Sequence, residues 1–167
     1  PYIQFWKGEI AYRLAKTDDA IRYYFDYLKT GAINGEVNPS NAKYNLGYCF
    51  LRKENYNQAQ GFFEQLYSTV KINSSSLEQD AYIRTADCYY MSRDYKKAKS
   101  MYDKVLDYSW PSADYATFQN AMIAGINSGK EKINLLSSIS RKYPTSSLIP
   151  DANMEIANTY LANEQYE

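Results

Sequence analysis

The sequence contains no histidine and only two cysteines among its 167 residues. The missing imidazole excludes a Ser-His-Asp triad, a Cys-His dyad and any histidine-ligated metal site. Two thiols are too few for a disulfide framework or a four-thiolate zinc site. We therefore expect no catalytic centre of these kinds, and neither a metal nor another cofactor.

The chain also lacks net charge, because 19 basic residues balance 19 acidic ones. Balanced charge gives no global attraction to nucleic acid or anionic lipid. The longest stretch without a charged side chain, 115–129, has 15 residues and includes three amides. A membrane-spanning helix needs about 20 apolar residues. We expect no nucleic-acid partner and no transmembrane segment in this chain.

Glycine and proline are scarce, at 7 and 5 residues. Proline costs about 3 kcal/mol inside a helix, so we expect the internal prolines to mark helix boundaries. The intervals between them have the length of helices, and few segments alternate with the period of two that a strand requires. The boundary positions are Pro39, Pro111, Pro144 and Pro150.

Three segments align without gaps and recur every 39 residues: 6–28, 45–67 and 84–106. Within a copy, apolar residues at spacings of three and four, such as Phe63, Leu66 and Val70, predict helices with one apolar face. Polar turns should separate the two helices of each copy at 16–18, 53–55 and 92–94. Ser75 and Glu78 have the spacing of a capping box that opens the third copy.

Small residues recur at two positions of each copy, where we expect two helices to approach closely. A bulky side chain there should overpack the contact at about 1–3 kcal/mol. The middle of the first helix holds Gly8, Gly47 and Ala86, and the start of the second holds Ala20, Ala59 and Ala98.

This pattern resembles that of the tetratricopeptide repeat (TPR) family, which has a small residue at position 8, alanine at 20 and aromatic residues near 11, 17 and 24. The first copy departs from it with Lys7 and Thr17, and the third with Thr85. The period exceeds the family's usual 34 residues, and the linkers at 29–39 and 68–76 can hold the extra ones. The second copy fits best, with Leu46, Gly47, Phe50, Tyr56, Ala59 and Phe63.

The repeats and the resemblance together imply an all-α fold, an α-solenoid of stacked antiparallel helix pairs that forms a right-handed superhelix of about nine helices. We expect a single TPR-like array that is a fragment of a longer chain, because Glu167 falls where a second helix should start. The repeats should cover about 1–38, 39–77, 78–111 and 112–146, with a partial one at 147–167.

The stretch from Tyr143 to Tyr160 resembles the linker of bacterial envelope TPR proteins of the Tol-Pal accessory and outer-membrane assembly lipoprotein types. This resemblance implies the bacterial periplasm or cell envelope rather than the cytoplasm.

The TPR resemblance further implies a non-catalytic scaffold that holds a peptide or protein partner in a concave groove lined by the first helices. An acidic residue at position 9 argues against a ligand that presents a C-terminal carboxylate. For any single tyrosine, the alternative to binding a partner is that its side chain only packs one helix against another. The groove positions are Phe5, Glu9, Tyr12, Arg13, Tyr44, Tyr48, Leu51, Arg52, Ile83, Asp87 and Tyr90.

Two other functions remain open at this stage. One is an architectural spacer or self-association module, and the other is the regulatory repeat segment of a larger multidomain protein. No pair of residues combines a base with an activated nucleophile, so the sequence favours a protein that is not an enzyme. Cys49 and Cys88 occupy equivalent positions of adjacent copies and are expected to be buried, unpaired thiols.

Overall fold

The computed structural model describes residues 2–164, and Glu167 therefore lies outside the described residues. Within them the chain forms nine α-helices and no strand, which confirms the predicted all-α fold. The helices are α1 (Tyr2–Arg13), α2 (Thr17–Leu28), α3 (Pro39–Arg52), α4 (Tyr56–Glu64), α5 (Ser76–Met91), α6 (Tyr95–Asp107), α7 (Ala113–Ala124), α8 (Gly129–Lys142) and α9 (Ile149–Glu164).

The chain folds into two compact units, Pro1–Asp94 and Tyr95–Glu167. The first unit contains α1 to α5 and the second contains α6 to α9. In the first unit, each helix from α1 to α4 packs on the helix that follows it. In the second unit, each helix from α6 to α8 does so. The division of the sequence into a single array of five repeats stays a prediction.

One turn structure recurs with the 39-residue period. Ala15, Glu54 and Arg93 all adopt the left-handed conformation, with φ of 59°, 56° and 64°. At the end of α1, the N–H of Ala15 donates to the carbonyl of Tyr12 and the N–H of Lys16 to that of Ala11. The same pair of bonds follows α3 and α5. This is the Schellman motif, which satisfies carbonyls at the helix end.

These turns show where sequence reasoning placed the helix ends correctly. The turns at 53–55 and 92–94 are confirmed, since α4 begins at Tyr56 and α6 at Tyr95. The first turn was predicted at 16–18 and is wrong by two residues, because α2 already begins at Thr17. Asp18 therefore lies in the first turn of α2, where a carboxylate is favoured by the helix dipole.

Side chains that accept backbone hydrogen bonds begin the next three helices. Asn38 accepts from the N–H of Asn41 at the start of α3, and Asn55 accepts from that of Gln58 at the start of α4. Ser75 and Glu78 form the predicted capping box of α5, each side chain bonding the other's backbone N–H. Such caps stabilise a helix by about 1 kcal/mol each.

The predicted helix boundaries at proline are also confirmed. Pro39 is the first residue of α3, where its missing N–H costs nothing, and Pro150 lies in the first turn of α9. Pro111 and Pro144 lie between helices. The longest connections fall at 29–38 and 65–75, which is where the residues beyond the usual repeat length were expected.

A glycine lies at a close contact between α1 and α2, and another lies at a close contact between α3 and α4. A Cβ added at Gly8 would lie 2.7 Å from the Tyr24 ring, and one added at Gly47 would lie 2.6 Å from the Phe63 ring. Both rings are fully buried. Real Cβ atoms do not approach a ring so closely, so these positions require glycine in the present packing.

The other small residues expected at contacts are all buried without measurable exposure, namely Ala20, Ala59, Ala86 and Ala98. Ala20, Ala59 and Ala98 occupy the fourth position of α2, α4 and α6. Cys49 and Cys88 are buried free thiols, as predicted.

The second unit has its own apolar cluster, which joins α7, α8 and α9 through Ala121, Leu136, Ile139 and Ala152. Two polar contacts support the packing. Asn120 donates to Asp103 at 2.8 Å between α7 and α6, and Lys132 pairs with Glu155 at 2.6 Å between α8 and α9.

Candidate functional site

Two adjoining concave spaces, of about 400 and 340 Å3, lie between the side chains of α1 and α3 in the first unit. We call them together the α1–α3 groove. Its larger part also reaches the 29–38 connection and the start of α5. The residues that line both parts are Glu9, Arg13, Tyr44 and Asn45, and the smaller part adds Tyr12 and Tyr48.

A hydrogen-bond network fixes the floor of the groove. The Tyr24 hydroxyl donates to Oε1 of Glu9 at 2.9 Å, and the Asn45 side-chain amide donates to the same oxygen at 2.5 Å. The other Glu9 oxygen, Oε2, lies 3.9 Å from the Arg13 guanidinium. Burial, followed by the bond to Glu9, raises the pKa of the Tyr24 hydroxyl. Glu9 is thus held through Oε1, and it lines both parts of the groove.

A second network holds the tyrosines of α3 in place. The hydroxyls of Tyr44 and Tyr48 both donate to Oδ2 of Asp80 on α5, at 2.7 and 2.6 Å. The two rings contact each other edge to face at 5.0 Å, and both also contact the Phe63 ring. Burial raises the pKa of Tyr44 to about 12 and raises that of Tyr48 further. These tyrosines therefore stay neutral at physiological pH and present rigid rings.

Arg52 packs on Tyr12, a residue of the smaller part of the groove. Its guanidinium lies 3.8 Å from the centre of the Tyr12 ring and donates to the Tyr12 carbonyl at 2.7 Å. This stacked arrangement uses the planar guanidinium in a cation–π contact. Tyr12 and Arg52 thus form one fixed surface between α1 and α3.

Six of the predicted groove residues line the two parts of the groove: Phe5, Glu9, Tyr12, Arg13, Tyr44 and Tyr48. Arg52 lines neither part and contacts Tyr12. Leu51 is half-buried against the core of the first unit. Asp87 and Tyr90 lie on α5 and are not among the residues that line the two parts of the groove. Asp87 forms an ion pair with Arg84 at 2.5 Å.

Two residues predicted for the groove are almost completely buried, and one of them does not reach the groove. Ile83 is 1% exposed and offers no surface to a partner, so its assignment is wrong. Phe5 lines the larger part of the groove but is only 3% exposed, because its ring packs edge to face on Tyr24 and Tyr27 of α2. Residues at this repeat position thus differ, because Tyr44, the equivalent of Phe5 in the second copy, lines both parts of the groove.

The groove also contains residues that sequence reasoning missed. Trp6 and Asn45 occupy the same position of the first two copies, and the 39-residue period could have linked them to the groove. Glu36 comes from the connection between α2 and α3, where no periodic signal exists. The remaining lining residues are Asn41, Ser76 and Leu77.

The groove is lined by side chains of mixed chemistry. It combines aromatic rings, amides and charges of both signs. Across residues 2–164, no three carboxylate or thiol side chains converge as metal ligands. None of the helices described has both the length and the apolar character needed to cross a membrane.

Helical hairpins that repeat every 39 residues, with one groove lined by first helices, define the chain as an all-α repeat protein with the TPR-like fold. A family model for the tetratricopeptide repeat matches residues 41–69 and 80–111, which supports the TPR resemblance. These matches cover most of α3 and α5 and all of α4 and α6. Comparison with curated proteins finds no match.

Solved structures share this fold. One set of nearly identical TPR-like repeats, named for a kinesin light chain of Podosopora anserina, superimposes with a TM-score of 0.73 at 14% identity and covers 98% of this chain and 86% of that one. A structure from Bacteroides ovatus, named as a protein binding protein, gives a TM-score of 0.57 at 14% identity and covers 98% of both chains.

Proposed function

We propose that the chain is a non-catalytic protein-interaction module that holds an extended peptide segment of its partner in the α1–α3 groove. TPR repeats generally mediate protein–protein interaction, and one structural neighbour is named as a protein binding protein. The observation that carries the proposal is a concave surface of aromatic and charged side chains, among them Trp6, which is 49% exposed.

The groove is suited to this role because its walls need little ordering when a partner binds. Tyr44, Tyr48 and Glu9 are held by hydrogen bonds, and Tyr12 by its stacked arginine. Fixing side chains in advance removes part of the entropy cost of binding, about 0.5–1.5 kcal/mol for each side chain that would otherwise be immobilised. Tyrosine, tryptophan and arginine are also the side chains that contribute most to protein interfaces.

The test selects peptides from a random display library on the purified protein and measures their affinities by fluorescence polarisation. Trp6→Ala should weaken the selected peptides at least tenfold, because it removes an aromatic anchor from the groove. Phe25→Ala is the matched control, since Phe25 is a 40% exposed aromatic residue on α2 away from the groove. Peptides that lose affinity equally with both variants, or a library that yields none, would contradict the proposal.

A second candidate function, self-association, is favoured by the outer face of α1. Ile3, Lys7 and Ile10 correspond by the 39-residue period to Ala42, Leu46 and Cys49 of α3. Those three residues of α3 are fully buried, and α3 packs on α2. On α1, Ile3 and Ile10 are instead 69% and 59% exposed.

We propose that this α1 face packs on a helix of a second copy, as α3 packs on α2. Ile10→Lys should then shift the molecular mass measured by multi-angle light scattering toward the monomer. Ile33→Lys is the control, because Ile33 is equally apolar and 68% exposed but lies in the 29–38 connection. A wild-type protein that stays monomeric at high concentration refutes this candidate.

We further propose that the protein is located in the bacterial cell envelope, and that it is related to the envelope TPR lipoproteins. The support is the sequence resemblance of the stretch from Tyr143 to Tyr160, which begins in the connection between α8 and α9. Fractionation of cells of the native organism, followed by immunoblotting, tests the location. Recovery of the protein in the cytoplasmic fraction alone would refute it.

A further inference from the structure

The larger part of the α1–α3 groove has an excess of negative charge. Its lining contains two carboxylates, those of Glu9 and Glu36, and one guanidinium, that of Arg13. The Arg13 side chain is 80% exposed and lies 3.9 Å from Glu9, so solvent weakens this ion pair. Within residues 2–164, no hydrogen bond or ion pair engages the Glu36 carboxylate. Arg13 therefore does not neutralise both acids.

Glu9 is placed so that it can accept from a ligand. Its side chain is 24% exposed, and both of its internal donors, Tyr24 and Asn45, bond the same oxygen, Oε1. The remaining oxygen is met only by the distant guanidinium of Arg13. A partly buried carboxylate gains most from a charged donor, because hydrogen bonds between ionised groups are about twice as strong as neutral ones.

Aromatic rings stand beside these acids. Trp6, Tyr44 and Phe5 line the same space as Glu9 and Glu36. A cation over an aromatic ring is attracted by the ring quadrupole, and tryptophan gives the strongest contact. Aromatic rings and carboxylates around one space of about 400 Å3 favour the same guest, a cation on an apolar stem.

We propose that the larger part of the α1–α3 groove receives a basic side chain, arginine or lysine, of the bound peptide. This inference rests on the proposed peptide-binding function. The cationic head pairs with Glu9 and Glu36, and the aliphatic stem packs on Trp6 and Tyr44. An acidic side chain or a chain-terminal carboxylate at this place meets two like charges and is excluded.

The experiment uses the peptides selected on the wild-type protein. These sequences should share one basic position, and changing that residue to glutamine should weaken binding at least tenfold. In the protein variant Glu36→Gln, the same change in the peptide should weaken binding only about threefold. The smaller ratio of affinities is expected because one of the two carboxylates that pair with the basic side chain is lost. Raising the salt concentration should weaken the basic peptide more than its glutamine counterpart.

Glu54→Gln is the matched control, because Glu54 is an exposed glutamate of the same unit that does not line the groove. It should leave the tenfold ratio unchanged. Selected peptides that depend on Trp6 but carry no basic position, or that bind more tightly to Glu36→Gln, would overturn this inference and leave the proposed function standing. A library that yields no peptide bound in the groove would overturn both.

Discussion

The substitution Gly47→Ala tests whether close approach of α3 and α4 requires glycine. The added methyl group would lie 2.6 Å from two carbons of the Phe63 ring and 2.9 Å from a third. Overpacking of this kind costs about 1–3 kcal/mol. The higher helix propensity of alanine offsets about 1 kcal/mol of this loss of stability. We therefore expect a net loss of stability of up to about 2 kcal/mol.

Gly61 provides a matched control within the same helix pair. It lies in α4, is exposed, and a Cβ added there meets no atom within 4 Å. Gly61→Ala should stabilise the protein by about 0.5–1 kcal/mol, because only the helix propensity changes. Urea unfolding followed by circular dichroism should separate the two variants by about 1–3 kcal/mol. Equal stabilisation by both substitutions would refute the packing argument.

Three further predictions concern the capping box, the thiols and alkaline pH. Ser75→Ala should lower the free energy of unfolding by about 1 kcal/mol in urea titrations, since it removes the side chain that accepts from Glu78 at the start of α5. Burial raises the pKa of Cys49 and Cys88 to about 12. Both thiols should thus resist a thiol reagent at pH 8 until denaturant is added, and rapid reaction of the native protein would contradict their burial. The folded state keeps these protons when the unfolded state loses them, so stability should hold below about pH 8.5 and fall above it, by about 1.4 kcal/mol per pH unit for each group. A urea midpoint that is constant from pH 8 to pH 11 would refute this.

The repeat period made most of the fold predictable. Gaps of equal length between Gly8, Gly47 and Ala86 placed the first helices, and the polar triplets at 53–55 and 92–94 placed two turns correctly. The first turn was misplaced because the Schellman motif ends at Lys16, and a helix can begin at once after it. Backbone geometry sets that boundary, and the side chains at 16–18 carry no signal for it.

The groove was less predictable than the fold. Repeat positions identify which side chains project from a first helix, and this was enough for Tyr44 and Tyr48. They do not reveal how deeply a side chain is buried, so Ile83 was assigned to a surface it does not reach. Glu36 lies in a connection without periodicity, and only the folded chain brings it beside Glu9. The charge excess of the groove was therefore invisible in the sequence.

The recurring left-handed turn makes the helical hairpins interchangeable. A deletion that places Glu54 directly after Leu14 would join α1 to α4. Glu54 would then provide the left-handed backbone conformation that Ala15 provides in the present chain. Gly8 would then meet the Phe63 ring in the way it now meets Tyr24, since the two contacts have nearly equal distances. Gene duplication or deletion in steps of 39 residues, cut at these turns, would thus lengthen or shorten the protein without breaking a helix.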